Sequence, residues 1–437
     1  MNLLIRGGRV IDPAQGIDRM LDVWIADGRI AALGIDLPVP REQARADPAT
    51  TPRIIDAGGW VVAPGFIDMH THLREPGFEH KETIATGLAA AAAGGFTAVA
   101  AMANTKPVHD TPSVTEFILR RAAAVDGPRL YPVGAVSMGL QGKELAEIGG
   151  MHKAGIVALS DDGLPVRQPR LLRRAMEYGC MFDLPILSHC EDHDISGHGV
   201  MHEGTIATAL GLPGIPAAAE TVMVYRDIQL AALTGARLHI QHVSVAEAVD
   251  LVRRAKAQGV RVTAEACPHH FTLTDEAVRG YNTHTKVNPP LRTARDVEAV
   301  KAGLQDGTIE VIASDHAPHH AAEKEQDYTA APFGMIGLET SLGLSLSLYH
   351  QGVLSLPQCI AKHTIHPAQV LNIPHGTLRL GSVADVTILD PEYAMEVNAA
   401  TLRSRSKNSP FLGWRLRGAA MLTIVGGRVI FERTEER

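Results

Sequence analysis

A chain of 437 residues is longer than a minimal domain and has room for two or three domains, or for one large barrel with additions. With 45% hydrophobic and 20% charged residues and no long low-complexity tract, the composition is that of an ordinary globular protein and argues against extensive disorder. A net charge of −7 with both signs interspersed offers no basic stripe to nucleic acid and no polybasic segment to an anionic membrane, so a small molecule is the expected partner. The four cysteines, Cys180, Cys190, Cys267 and Cys359, are widely spaced with no CxxC, which suits a reducing compartment. MNLLIRGGRVID lacks the apolar core of a signal peptide, and no window approaches the ~20 apolar residues of a membrane span, so a cytoplasmic protein is expected.

The first sixty residues read as short strands and turns: LLIRGGRVID, DVWIADGRIAALG and RIIDAGGWVV alternate apolar and polar positions around glycines. The last fifty return to that style in ADVTILD and AAMLTIVGGRVIF, and GGRVI occurs twice, at Gly7 to Ile11 and at Gly426 to Ile430. Two terminal segments too small for separate cores are expected to join in one β-sandwich domain, 1–60 with 376–437. Between them, over 61–375, VVAPGFID, TAVAAMA, RLYPVGAV, GIVALS, LPILSH, ARLHIQHV, VRVTAEA and IEVIAS alternate with helical stretches such as ETIATGLAAAAAG and VAEAVDLVRRAKAQG. Eight βα units predict an α/β fold, a closed (β/α)8 TIM-like barrel with its site at the C-terminal strand ends. An open doubly wound sheet is the alternative, but no GxGxxG follows a first strand.

Polar residues collect just after those strands: His70, His72 and Arg74 after the first, Asn104 after the second, and Asp161 and Asp162 after the fourth. His189 follows the fifth, His242 the sixth, and Asp315, His316 and His319 the eighth. Taken singly, a strand-end histidine is more often structural than a ligand, and Asp161–Asp162 fits a turn or cap as well as a site. Co-location at one rim favours a metal site, since imidazole and carboxylate suit zinc or a similar ion and an Asp can bridge two ions. Such an ion activates water near neutral pH, which points to hydrolysis. Three residues from His242, His239 is expected to face the opposite side as a core residue, His269 and His270 to stand behind the site without ligating, and the cysteines to be buried fillers.

In this order, GFIDMHTHLREPG, MANTKPV, SDDG, SHCED, HIQHVS, VNPPLR, ASDHAPH, APFG and KNSPFLGW closely resemble the dihydroorotases of the amidohydrolase superfamily, from the N-terminal strands to Ile430. Single motifs are shared with hydantoinases and allantoinases; the set is specific. The resemblance implies that His70, His72 and Asp315 hold one zinc, that His189 and His242 hold a second, and that Asp162 bridges them, with one or two ions bound. Other superfamily members bridge with a carboxylated lysine after strand four. Here the nearest, Lys153, precedes that strand, which places the chain in the lysine-free branch. It also assigns Arg74, Asn104 and His319 to the substrate carboxylate, and Asn288 with the backbone of Phe333 and Gly334 to the dihydropyrimidine ring.

The implied reaction is the reversible, zinc-dependent cyclisation of N-carbamoyl-L-aspartate to L-dihydroorotate in pyrimidine synthesis, with Asp315 as catalytic proton carrier. The family pattern MPNT reads MANT here at 102–105, a change of backbone stiffness that leaves the Asn104 amide. Segment 319–334 reads as a mobile lid or as an ordinary surface loop. The other readings are a hydantoinase- or allantoinase-like amidohydrolase and a non-catalytic scaffold for aspartate carbamoyltransferase. A homodimer or a complex with that transferase is the implied assembly.

Overall fold

The computed structural model describes residues 2–38 and 52–434. Its strands begin with β1 (Leu3–Asp12), β2 (Ile17–Ala26), β3 (Arg29–Gly34), β4 (Arg53–Asp56) and β5 (Val61–Pro64). They continue with β6 (Phe66–Thr71), β7 (Phe96–Ala101), β8 (Arg129–Gly134), β9 (Ala158–Leu159) and β10 (Ile186–Ser188). The pair β11 (Met201–His202) and β12 (Gly214–Ile215) stands outside the larger sheets, and β13 (Leu238–Ile240), β14 (Val262–Ala266) and β15 (Val311–Ile312) follow. The last are β16 (Val386–Glu396), β17 (Arg415–Val425) and β18 (Arg428–Glu432).

Strands β6 to β10 and β13 to β15 form one sheet in chain order, every neighbour parallel. Its two edges meet where Thr71 bridges His316 and the His72 N–H donates to the His316 carbonyl at 2.8 Å, which brings the sheet close to a full barrel. Helices pack outside it. Helix Pro169–Cys180 buries Leu171, Leu172, Ala175, Met176 and Gly179, a one-sided apolar stripe, and helix Ile84–Ala93 starts at Thr83, whose side chain accepts from the Thr86 N–H. All eight expected barrel strands are present.

One differs in extent. The run VVAPGFID, read as a single strand, is divided at Gly65 into β5 and β6, and β5 pairs with β1 and β16 in the terminal sheet. Gly65 donates to the Asp385 carbonyl at 2.8 Å, and a Cβ there would fall 2.1 Å from the Thr97 hydroxyl, so the chain crosses between sheets where only hydrogen fits.

The terminal sheet runs β18-β17-β16-β5-β1-β2-β3, with β4 beside β1. Leu3, Ile5, Val10, Val23 and Ile25 from one end of the chain share a core with Val386, Ile388, Leu422 and Ile424 from the other, as expected of segments that cannot bury an apolar face alone. The expected segments 1–60 and 376–437 include residues 1, 39–51 and 435–437, which lie outside the described residues. The two GGRVI copies differ: Gly426 and Gly427 join β17 to β18, whereas Gly7 and Gly8 lie within β1, where pairing with β2 slips between Ile5 and Gly8.

Asp385 ties the barrel to this sheet. Its carboxylate accepts from Arg129 Nε at 2.9 Å, from the Gly426 N–H at 2.8 Å, and faces His375 Nδ1 at 3.2 Å. Burial raises its pKa, but His375 and Arg129 outweigh that and hold it below the usual carboxylate value of 3.8. Asp385→Ala is therefore expected to cost about 2–3 kcal/mol of stability at pH 7 without altering metal content. Because the folded pKa is depressed, this contribution is present above the unfolded pKa and is lost as pH falls through the folded one. Thermal unfolding of both proteins at pH 7 and in acid should show the gap narrowing as pH drops; a gap that widens would contradict the assignment.

Candidate metal centre

Five strand ends deliver the histidines and aspartates of the cluster, and at β6, β13 and β15 the chain leaves regular strand geometry to do so. The pairing of β6 with β7 slips between Asp68 and Thr71, a bulge at Met69–His70 of the kind that re-aims side chains beside sites. Arg74 (φ +62°), His242 (φ +35°) and Asp315 (φ +46°) all occupy the left-handed region, which costs on the order of 1–3 kcal/mol each and persists only where packing enforces it. β6 ends at Thr71, so a turn, not strand alternation, carries the Arg74 guanidinium inward.

His70, His72 and Asp162 place ligating atoms within 4.8 Å of one another, as do Asp162, His189 and His242, so the two groups share Asp162. His70 Nε2 and His72 Nε2 lie 3.4 and 3.3 Å from the two Asp162 oxygens, and His189 Nδ1 and His242 Nε2 each lie 3.6 Å from Asp162 Oδ1. Asp315 Oδ1 completes the first group, 3.0 Å from His72 Nε2 and 3.5 Å from His70 Nε2.

The donor set fits a metal. Asp162 Oδ1 is buried with no hydrogen-bond partner, and two ligands each about 2.0–2.1 Å from a tetrahedral ion stand about 3.3 Å apart, close to the spacings found. Burial opposes charge on Asp162 and Asp315, yet the surrounding imidazoles hold both carboxyls well below the ordinary range, so both are anionic donors at neutral pH.

Second contacts fix which imidazole nitrogen faces inward. His70 Nδ1–H donates to Glu265 Oε1 at 2.5 Å and His72 Nδ1–H to Asn104 Oδ1 at 2.9 Å, which leaves both Nε2 atoms for an ion. His189 is turned the other way, with Nδ1 inward and Nε2 on Glu191 Oε2 at 3.2 Å. His239 is buried as expected but does not face away from the site. Its Nε2 lies 3.2 Å from Glu265 Oε2, directly behind His70, because the positive φ at His242 breaks the parity on which the expectation rested.

The remaining expected residues also gather here. Arg74 donates through Nε to the Pro318 carbonyl at 3.1 Å and lies beside His319; burial lowers its pKa to about 10, so it remains cationic. His319 Nε2–H donates to the Phe333 carbonyl at 2.8 Å while burial, Arg74 and Lys81 push its pKa down to about 2, so it is neutral. Gly334 (φ +125°) leaves no room for a side chain, a Cβ falling 2.8 Å from Ala317 Cβ. Asn288 Nδ2 donates to Glu191 Oε2 at 2.7 Å. Segment 319–334 is fastened by two lysines: Lys286 donates to the Tyr328 and Thr329 carbonyls, and the buried Lys324 to those of Pro332 and Gly334.

Asp161 separates from its neighbour and is structural, accepting from the Val136 and Ser137 N–H groups at 2.7 and 3.1 Å. Lys153 is exposed on the helix before β9. His270 donates to the Pro289 carbonyl at 2.9 Å; its Nδ1 and His269 Nε2 have no partner, and these rings with Cys267 form a further compact group behind the rim.

Three residues escaped sequence reasoning. Glu265 is the lone carboxylate inside the apolar strand VRVTAEA, a signal visible in the sequence. Glu191 stood unassigned within SHCED. Asn408, in KNSPFLGW, accepts from the His319 N–H at 3.0 Å and donates to the Ala317 and Gly334 carbonyls, a role only the tertiary structure displays.

The model of dihydro-orotase-like proteins matches residues 59–248, and that of an amidohydrolase family matches 214–431. The chain is 53% identical over 435 residues to a dihydroorotase of Syntrophotalea carbinolica, covering 100% of both chains. It is 55% identical over 434 residues to one of Pelotomaculum thermopropionicum, covering 99% of each. Among solved structures, an L-hydantoinase (dihydropyrimidinase) from Arthrobacter aurescens superposes with a TM-score of 0.86 at 28% identity, covering 99% of this chain and 96% of that one. A nearly closed parallel barrel with a histidine–aspartate cluster on its rim, so matched, defines an enzyme of the cyclic amidohydrolase class. Within that class, the chain belongs to the dihydroorotase family.

Proposed function

We propose that this chain catalyses the reversible cyclisation of N-carbamoyl-L-aspartate to L-dihydroorotate, as a zinc enzyme of pyrimidine synthesis. The observation that carries this reading is the adjacency of an anion-binding set, Arg74, Asn104 and His319, to a donor cluster in which Asp162 is shared between two groups. His70, His72 and Asp315 would hold one zinc and His189 and His242 a second, with Asp162 between them. Bound there, zinc supplies Lewis acidity, polarising the ring carbonyl and making water reactive near neutral pH.

The chain's own groups do the rest. Arg74 pairs with the substrate carboxylate; its fork suits two oxygens, and Asn104, whose Oδ1 is committed to His72, adds an Nδ2 donor. The neutral His319 contributes without adding charge. Asn288 and the Phe333–Gly334 backbone border the ring. Asp315, ionised throughout the neutral range, takes the proton from the attacking water and returns it to the leaving ring nitrogen; in synthesis these transfers reverse. The same reading divides the chain into a catalytic barrel, 61–375, and a terminal β unit from 1–60 and 376–437. A cytoplasmic location, and a homodimer or a complex with aspartate carbamoyltransferase, accompany it.

The test is the loss of dihydroorotate ultraviolet absorbance with purified, metal-analysed protein. Zinc-dependent turnover is expected, with Arg74→Lys raising KM about 10- to 100-fold while metal content stays constant, because a point charge replaces a fork. Turnover of hydantoin or allantoin instead of dihydroorotate would favour another cyclic amidohydrolase. A chain that purifies without metal, fails to bind zinc and turns over nothing would favour the scaffold reading.

A further inference from the structure

Glu191 stands between the two halves of the site and has no part in the reaction as derived. It is 7% exposed, and a single oxygen, Oε2, meets three nitrogens: His189 Nε2 at 3.2 Å, Asn288 Nδ2 at 2.7 Å and His193 Nε2 at 3.3 Å. These partners come from different parts of the barrel. His189 and His193 both follow the end of β10, whereas Asn288 lies in the connection between β14 and β15. The His189 contact uses the nitrogen that faces away from Asp162, so it sets the ring's tautomer and presents Nδ1 to the metal position. The Asn288 contact occupies one amide hydrogen and fixes the direction in which its remaining hydrogen and carbonyl oxygen point.

We propose that Glu191 is a positioning residue that couples the metal ligand His189 to the ring-binding amide of Asn288 through one shared carboxylate oxygen. The substrate half rests on the dihydroorotase reading above; the metal half does not. A carboxylate can accept from all three nitrogens at once because it carries charge and no hydrogen. A glutamine of the same shape can set its oxygen at the same point, but that oxygen is neutral and a weaker acceptor for three donors.

Two readouts test this. Zinc affinity of the whole chain, measured by chelator competition without substrate, is expected to fall about 10- to 100-fold in Glu191→Gln, the loss typical when a ligand's orienting partner is removed. Glu191→Asp, which keeps the charge, should hold zinc more tightly than Glu191→Gln. KM for dihydroorotate should rise about tenfold in Glu191→Gln, and that rise should shrink to less than twofold in an Asn288→Ala background, where the loss of zinc affinity persists. Zinc affinity in Glu191→Gln within twofold of the wild type, or equal to that of Glu191→Asp, would overturn the proposal. So would a KM effect of the same size with and without Asn288.

Should Glu191→Gln fail to fold, as judged by circular dichroism, Glu191→Asp decides alone. At least threefold weaker zinc binding, with a raised KM that vanishes in Asn288→Ala, supports the coupling, and wild-type values of either refute it. Because the zinc measurement involves no substrate, a chain that ignores dihydroorotate refutes the substrate reading separately from the positioning of His189.

Discussion

Replacing Asp315 by alanine is expected to reduce kcat/KM for dihydroorotate by about 10³-fold or more, the largest loss from any single side chain of the site. The carboxylate has two tasks. Its Oδ1 lies 3.0 Å from His72 Nε2 and 3.5 Å from His70 Nε2, within the first ligand group, and it is the ionised group proposed to move the proton between water and ring nitrogen. Loss of general acid–base catalysis alone is worth about 10²–10⁴-fold, and loss of a ligand adds to it. Asp315→Asn separates the tasks, since an amide oxygen can still ligate but cannot take a proton. It should retain more zinc than Asp315→Ala and be nearly as slow. Dihydroorotate absorbance followed beside zinc content checks both; activity within tenfold of the wild type in Asp315→Asn would remove Asp315 as the proton carrier.

The second large effect is expected at Asp162. Because both ligand groups share this carboxylate, Asp162→Ala should lower zinc retention at both, leaving less than one ion per chain after desalting and turnover reduced about 10³-fold. The variant also loses the anion that opposes four buried imidazoles, so added zinc should restore activity to chelator-stripped wild type but not to the variant. Metal analysis before and after chelation distinguishes the possibilities. A variant that keeps its full zinc complement would show that Asp162 does not join the groups. Arg74→Lys, by contrast, should leave zinc untouched, which separates failure to bind metal from failure to bind substrate.

Much of this was legible in the chain itself. The eight apolar runs with their helices fixed the barrel, because a 2.0-residue period and a 3.6-residue period leave different marks in a sequence. The motifs after those runs identified His70, His72, Asp162, His189, His242 and Asp315 as one cluster, since the barrel topology sends every strand's C-terminal end to the same rim. Sequence could not show how the side chains reach that cluster. Periodicity speaks only for regular strands, whereas Arg74, His242 and Asp315 lie beyond them at positive φ, and a bulge shifts His70. Nor could it pair Glu265 with His70 and His239, join Glu191 to both His189 and Asn288, or bring Asn408 from the last motif to Gly334. Those contacts span up to 195 residues for Glu265 and His70, and only closure of the barrel brings such partners to hydrogen-bond distance. The sequence by itself thus determined which residues gather at the rim; the tertiary structure decided which of their atoms face inward, because tautomer and direction are set by neighbours that the chain supplies from far away.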